Sequence, residues 1–297
     1  MPHREQSRYL RVAVGAASAC GDTVGGRRHR GATWIAAWVI ALAGCGEPRA
    51  AHPPIPAVDR SDGALPELVV LAVAEGAIRV DGHLDEPAWR GATNGTGALV
   101  DVRTGQPSPR SRVQGGAWLA WDGRSLYLAA RIDDPSPDAP FPAAEHDAHV
   151  WERSSGIELM LQPGDPGDNR DYYEIQIDTG GARWTSRFDD YHLPGGSDPR
   201  SGAPRFGHQE WDPGLRYGVA VERAGGYYDV EISLPWGDLG PSPRASVPPR
   251  PGDIWRANVY SFRDGQSDAL AWSPTLGRGS FHFAPRFGRL VFGGPVR

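Results

Sequence analysis

The stretch from Asp147 to Gly180, DAHVWERSSGIELMLQPGDPGDNRDYYEIQIDTG, decides the fold. It contains two runs of period-2 alternation joined by a loop of Pro163, Gly164, Asp165, Pro166, Gly167, Asp168 and Asn169. In the first run Ile157, Leu159 and Leu161 share one face, and Glu158 and Met160 the other. In the second, Tyr173, Ile175 and Ile177 lie opposite Tyr172, Glu174, Gln176 and Asp178. Each strand therefore has one apolar face and one face of carboxylate, amide and aromatic groups. Trp151 stands just ahead of the first strand. A flat apolar ring beside a row of hydrogen-bonding side chains suits a sugar, which has an apolar ring face and a hydroxyl edge.

The same alternation recurs along the chain. Val69, Leu71 and Val73 open a strand, and Val113 to Trp121 leads through a turn at Asp122-Gly123-Arg124 into Leu126 to Ile132. Further strands are expected at 183–188, 215–221, 227–234, 254–262, 270–272 and 289–292. About ten to twelve short strands with little helix predict one antiparallel β-sandwich or jelly roll over residues 67–297. The 39 glycines and 28 prolines fit the many turns this requires.

The N-terminal segment has a different character. Arg27, Arg28, His29 and Arg30 precede an apolar run from Ala32 to Ala43, ending in Leu42-Ala43-Gly44-Cys45. At about 12 residues the run is too short to span a bilayer and suits a signal-peptide core. The ending resembles a bacterial lipobox, with Cys45 as the residue to be lipidated and 1–45 as the signal. Two or more acyl chains would anchor the protein stably. No aspartate follows Cys45, which favours sorting to the outer membrane. The basic flank begins far into the sequence for such a signal, so Val12, Val14 and Val24 are alternative starts; Arg27-Arg28 also allows a twin-arginine reading. Residues 46–66, rich in proline and alanine, read as a tether.

Charge and cysteine content exclude several functions. The chain of 297 residues has a net charge of −5 and no lysine. Six of 31 arginines and two of 36 acidic side chains fall in the first 45 residues, so the remainder carries −9, which argues against nucleic acid as a partner. Both cysteines, Cys20 and Cys45, lie in that same segment, so the body of the protein has no thiol for a disulfide, a metal site or a nucleophile.

Several separate motifs occur in a recognisable order: IRVDGHLDEPAW (78–89), WDGRSLYLAARIDDP (121–135), HVWERSSGIELML (149–161), DYYEIQI (171–177), YYDVEISLPWGDLG (227–240), PGDIWRANVY (251–260), AWSP (271–274) and FHFAPRFGRLVF (281–292). In this order they resemble the family 9 carbohydrate-binding modules and their stand-alone bacterial relatives, over residues 67–297. The resemblance implies an antiparallel sandwich that holds the end of a glycan chain between two tryptophans, in several members with structural calcium. Trp151 then falls on the first stacking tryptophan and Glu158 on a carboxylate that bonds sugar hydroxyls. Phe281 takes the second tryptophan's place, with a smaller face, and the interval from Trp151 to Glu158 is one residue longer than the pattern. Gln176 and Tyr260 fall on polar sugar contacts, with changed residue types. Trp89, Trp236, Trp255 and Trp272 lie inside fold-defining motifs and are expected in the core.

The same residues allow other chemistries. Glu158 and Glu174 form a carboxylate pair such as a glycosidase uses, but each carboxylate binding hydroxyls or arginines is the favoured reading, and no enzyme is expected. Asp165, Asp168, Asn169 and Asp171 crowd oxygen ligands as calcium prefers; a turn held by its own side chains is the alternative. His146 and His149 form an HxxH pair in a loop, a weak signal for zinc. Met160 is the one internal methionine that a haem would need. The expected function is non-catalytic binding of a polysaccharide or oligosaccharide by a lipid-anchored envelope protein. The rival is a structural lipoprotein that docks another envelope protein through exposed aromatics.

Overall fold

The computed structural model describes residues 52–107, 113–143, 145–197, 202, 204–263 and 268–295. The expected signal segment, with Cys20 and Cys45, and residues 46–51 of the expected tether lie outside them.

Alternating side chains place fifteen strands in the described residues. They are β1 (Glu67–Ala72), β2 (Gly95–Ala98), β3 (Val100–Asp101), β4 (Gln114–Trp121), β5 (Ser125–Asp133), β6 (Gly156–Gln162), β7 (Arg170–Asp178), β8 (Arg183–Asp190), β9 (Gly196–Ser197), β10 (Pro204–Arg205), β11 (Arg216–Glu222), β12 (Tyr227–Pro235), β13 (Ile254–Phe262), β14 (Leu270–Ala271) and β15 (Gly288–Pro295). The count exceeds the expected ten to twelve because β2, β3, β9, β10 and β14 are short bridges. Helix is confined to single turns, among them Pro87–Arg90 and Trp236–Leu239.

The sandwich is a single sheet curled on itself, in the order β11-β12-β5-β4-β1-β15-β13-β6-β7-β8. Its two halves face each other across one core. Leu119, Leu128, Val230 and Ile232 from one half and Leu159, Ile175, Ile177 and Val259 from the other are all buried there. Trp236, Trp255 and Trp272 join that core at 3%, 0% and 1% exposure, as their motifs predict, and Trp89 is buried under the opposite face. The sheet departs from a purely antiparallel one at the fold. β1 runs parallel to both neighbours, pairing Leu68 with Leu290 and Leu71 with Ala120. Leu68 and Val70 point into the core, and Leu71 packs on the outer cluster around Trp89.

The segment 78–89 closes that outer face. Glu231 on β12 is fully buried. Its Oε2 accepts the N–H groups of Asp81 and Gly82, both at 2.9 Å, and its Oε1 accepts the indole N–H of Trp89 at 2.8 Å. Gly82 has φ +85°, and a Cβ on Gly218 of β11 would overlap the backbone of Asp81 and Gly82. These two glycines let the 81–82 turn lie directly on the sheet. Burial, with the nearby charge of Glu86 opposing ionisation, raises the Glu231 carboxyl to about 8.

The expected tether is corrected over its described part. Residues 52–66 lie on the domain. Pro56 accepts the N–H of Ala98 at 2.8 Å, Arg60 bonds the carbonyls of Thr96 and Ala98, and the His52 ring lies 4.5 Å from that of Trp118. The physical reason is the edge of β2. Its backbone groups need partners, and Gly116 leaves room for the methyls of Ile55.

Candidate functional site

On the outer face of the second half-sheet, period-2 alternation turns Glu158 and Met160 of β6, and Tyr172, Glu174 and Gln176 of β7, away from the core. The tight turn 179–182 sets the register of β8, so that Trp184 stands opposite Gln176 and Ser186 opposite Glu174. On the other side Tyr260 of β13 stands opposite Glu158. Tyr260, Glu158, Gln176 and Trp184 thus form one row across four strands.

The polar groups of this row hold one another. The Gln176 amide nitrogen donates to Glu158 Oε2 at 2.9 Å and to Glu174 Oε1 at 2.7 Å, bridging two carboxylates. Trp184 Nε1 donates to Glu174 Oε2 at 3.2 Å. Glu158 Oε1, Gln176 Oε1 and Ser186 Oγ are buried and have no partner among the described residues. Burial, with no arginine paired to either group among the described residues, raises both carboxyls. Glu174 is pushed up to about 7, and Glu158 well above the usual range, with the charge of Glu174 adding to the effect of burial. His282, whose Nε2 lies 4.0 Å from Glu174, is lowered to about 4 by burial and is therefore neutral at pH 7.

Rings surround the row. The half-buried Trp151 packs edge-on to Trp184 at 4.9 Å, and its own face is covered by the His149 imidazole at 4.5 Å. Phe281 lies face to face with Tyr260 at 4.1 Å, and the Tyr260 hydroxyl donates to the Phe281 carbonyl. His282 stacks on Tyr191 at 4.3 Å and meets the Tyr172 hydroxyl at 2.8 Å.

No family model matches the sequence, and no curated protein matches it. Solved structures do match. A family 9 carbohydrate-binding module from Caldicellulosiruptor kristjanssonii, in complex with cellotriose, superposes with a TM-score of 0.51 at 14% identity, over 78% of this chain and 95% of that one. A protein from Bacteroides uniformis, described as a candidate carbohydrate-binding protein, gives 0.52 at 18% identity, over 77% and 100%. This is the fold of the family 9 modules.

Within the family 9 fold, the five expected contact residues meet in one region but not as an open cleft. Glu158, Gln176, Tyr260 and Phe281 are 1%, 2%, 0% and 9% exposed. The Phe281 ring, expected to stack on a sugar, lies against the Tyr260 ring, and the Tyr260 hydroxyl, expected to meet sugar hydroxyls, bonds the Phe281 carbonyl. The surface cavities lined by Trp211, His208 and Asp238, and by Tyr173, Pro241 and Pro243, include none of the five. Trp151 alone keeps substantial exposure. Trp184, Glu174 and His282 complete the cluster and were not among the expected contacts. Counting residues through the turn from Ile177 to Arg183 would have placed Trp184 beside Gln176.

The carboxylates of the expected calcium loop carry arginine partners. Asp165 pairs with Arg256, and with Arg289 at 3.2 Å; Asp168 pairs with Arg244 at 2.7 Å and Asp171 with the same guanidinium at 3.0 Å. Three arginines from distant sequence occupy the carboxylates, a connection invisible to local composition. Arg256 is nearly buried and also donates to the Phe287 carbonyl. Arg256→Ala should therefore cost on the order of 2–3 kcal/mol in chemical denaturation, while millimolar calcium leaves the midpoint of the wild type in place. A calcium-induced rise in that midpoint would restore the metal reading. His146 and His149 turn to Asp212 and Glu152 respectively, and Met160 is buried among Tyr172, Tyr260 and Phe287.

Proposed function

We propose that this chain binds carbohydrate without cleaving it, at the row formed by Glu158, Gln176 and Trp184 with Trp151 at its rim. The observation that carries the reading is the set of partnerless acceptors, Glu158 Oε1 and Gln176 Oε1, buried beside indole rings. A buried polar atom without a partner costs about 1–3 kcal/mol, which sugar hydroxyls donating to these atoms would relieve. The fold it shares with family 9 modules agrees with this. Glu158 and Glu174 resemble a hydrolytic pair in type only. They are tied to one amide nitrogen that stands between them.

The test is calorimetric titration of the purified chain with a panel of oligosaccharides. Trp151→Ala should weaken the best ligand about tenfold or more, roughly 1.4 kcal/mol. Because Trp151 packs against Trp184 and the small cluster around it, the substitution should also lower stability by a few degrees. A panel without binding by the folded wild type would sink the reading. It would favour the docking alternative, for which the exposed Leu193 (65%) and Phe206 (40%) are the surface.

We also propose that Cys45 carries the lipid and that the domain acts at the outer membrane. Fatty-acid labelling of the protein should disappear in Cys45→Ser. Labelling that persists in the variant would refute the anchor.

A further inference from the structure

The cavity beside Trp211 lies on the other face of β8 from the row. The alternation that sets Ser186 across from Glu174 sets Arg187 across from Tyr173, on the side of the sheet that faces the core. Where β8 comes near the turn Trp236–Leu239, a surface cavity of about 310 Å³ opens, lined by Arg187, His208, Glu210, Trp211 and residues 237–240. That volume is at the low end of the roughly 300–1,000 Å³ found for small-molecule sites. Its walls are fixed by the protein's own bonds. Arg187 and His208 exchange backbone N–H bonds, and the Trp211 N–H donates to the His208 carbonyl at 3.1 Å. The Trp211 carbonyl accepts the Thr185 hydroxyl at 2.8 Å, and its indole N–H donates to the Asp238 carbonyl at 2.9 Å. The Tyr173 hydroxyl donates to the next carbonyl, that of Leu239.

The lining joins apolar surface to polar groups of both signs. Trp211 and Leu239 supply the apolar part. Around them stand the Arg187 guanidinium and the His208 imidazole, against the carboxylates of Glu210 and Asp238. Hydrogen bonds to Asp189 and Glu210 raise the His208 pKa and so favour its charged form. A ligand with a net charge of either sign would meet a like charge in this ring. A neutral polyol avoids that repulsion. Its hydroxyls can donate to the spare lone pairs of the carboxylates and accept from the guanidinium, which is 43% exposed and reaches Asp189 at 3.2 Å. Gly237 and Gly240 leave the floor without side chains, and a Cβ at either would meet no atom within 4 Å.

We propose that this cavity is a carbohydrate site in its own right, which takes one or two residues of a neutral saccharide against Trp211, Arg187 and Glu210. It goes beyond the reading of the row and stands or falls apart from it, because the two places lie on opposite faces of β8 and share no residue.

The experiment is saturation-transfer NMR on the purified chain at pH 7. Glucose, N-acetylglucosamine and cellobiose are the neutral probes, and glucuronic acid and glucosamine the charged ones. Run on Trp151→Ala, it reads the cavity without the aromatic rim of the row. The blocking substitution is Gly237→Leu, whose side chain starts from the cavity lining with no atom in its way and should leave the melting temperature unchanged. At least one neutral probe should take up saturation from Trp151→Ala, and more strongly than either charged probe. Adding Gly237→Leu should weaken that affinity about tenfold or more. Transfer that survives Gly237→Leu at full strength overturns the site, as does stronger transfer to a charged probe. Transfer seen in the wild type and absent in Trp151→Ala also overturns it, and leaves all sugar binding to the row. Silence in both proteins removes the cavity and the row together.

Discussion

Glu231→Ala should be the most damaging single substitution in the domain. The side chain is inaccessible, and its two oxygens hold the turn at Asp81-Gly82 and the indole of Trp89. Its loss strands three donors, two on backbone and one on a fully buried tryptophan, and leaves a cavity where the carboxyl stood. At about 1–3 kcal/mol for each buried group left unsatisfied, the total should be on the order of 3–5 kcal/mol. For a domain of this size that corresponds to a fall in Tm of roughly 10 °C or more. Glu231→Gln keeps one acceptor and should lose less. A Tm within about two degrees of wild type for the alanine variant would show that segment 78–89 is held by packing alone.

The second large effect is a gain that depends on pH. Glu158 and Glu174 have their carboxyls raised by burial. Above the ordinary carboxyl range, near pH 4.5, the unfolded chain releases protons that the folded protein still holds. The unfolding free energy therefore falls as pH rises from about 4.5 towards 7, where Glu174 ionises in the folded state. For Glu174 that rise corresponds to about 3 kcal/mol. His282, lowered to about 4, acts in the opposite sense: its contribution is lost as pH falls from 6.5 to 4. Glu158→Gln separates the two. The new amide oxygen can keep the bond from Gln176, and its nitrogen faces the partnerless Gln176 Oε1 across the ladder. The variant should match wild type near pH 4.5 and exceed it at pH 8 by on the order of 1–3 kcal/mol. Equal stability at both pH values would mean that Glu158 is neutral or compensated throughout.

The sandwich was legible because alternation is a local signal that burial enforces. Ile157, Leu159 and Leu161 could face inward only if Glu158 and Met160 faced out, and one shifted residue would have inverted both strands. The polar row was half legible for the same reason: Glu158 and Gln176 sit on the right face, but which residue stands beside them depends on register across the 179–182 turn. What failed to show was long-range. Asp165 meets Arg256 and Arg289 across 91 and 124 positions, so a loop that reads locally as a cluster of oxygen ligands also ties distant strands together. The stacking of Phe281 on Tyr260 was hidden likewise, because nothing in either local sequence says that the two rings meet. The parallel placement of β1 also escaped the reading, since alternation carries no information on strand direction.

That placement has a consequence for how the protein is made. β1, the first strand in the described residues, is locked between β4 and β15, and β15 is the last of them. The seam joining the two half-sheets therefore stays open until β15 has emerged from the ribosome. Such distant pairing folds slowly, and until β15 arrives one edge of β1 offers unpaired backbone to any neighbouring chain. A premature stop even a few codons before Gly288 would leave that edge permanently bare. The closing strand is thus a proofreading step, since only chains that reach β15 hide that edge of β1.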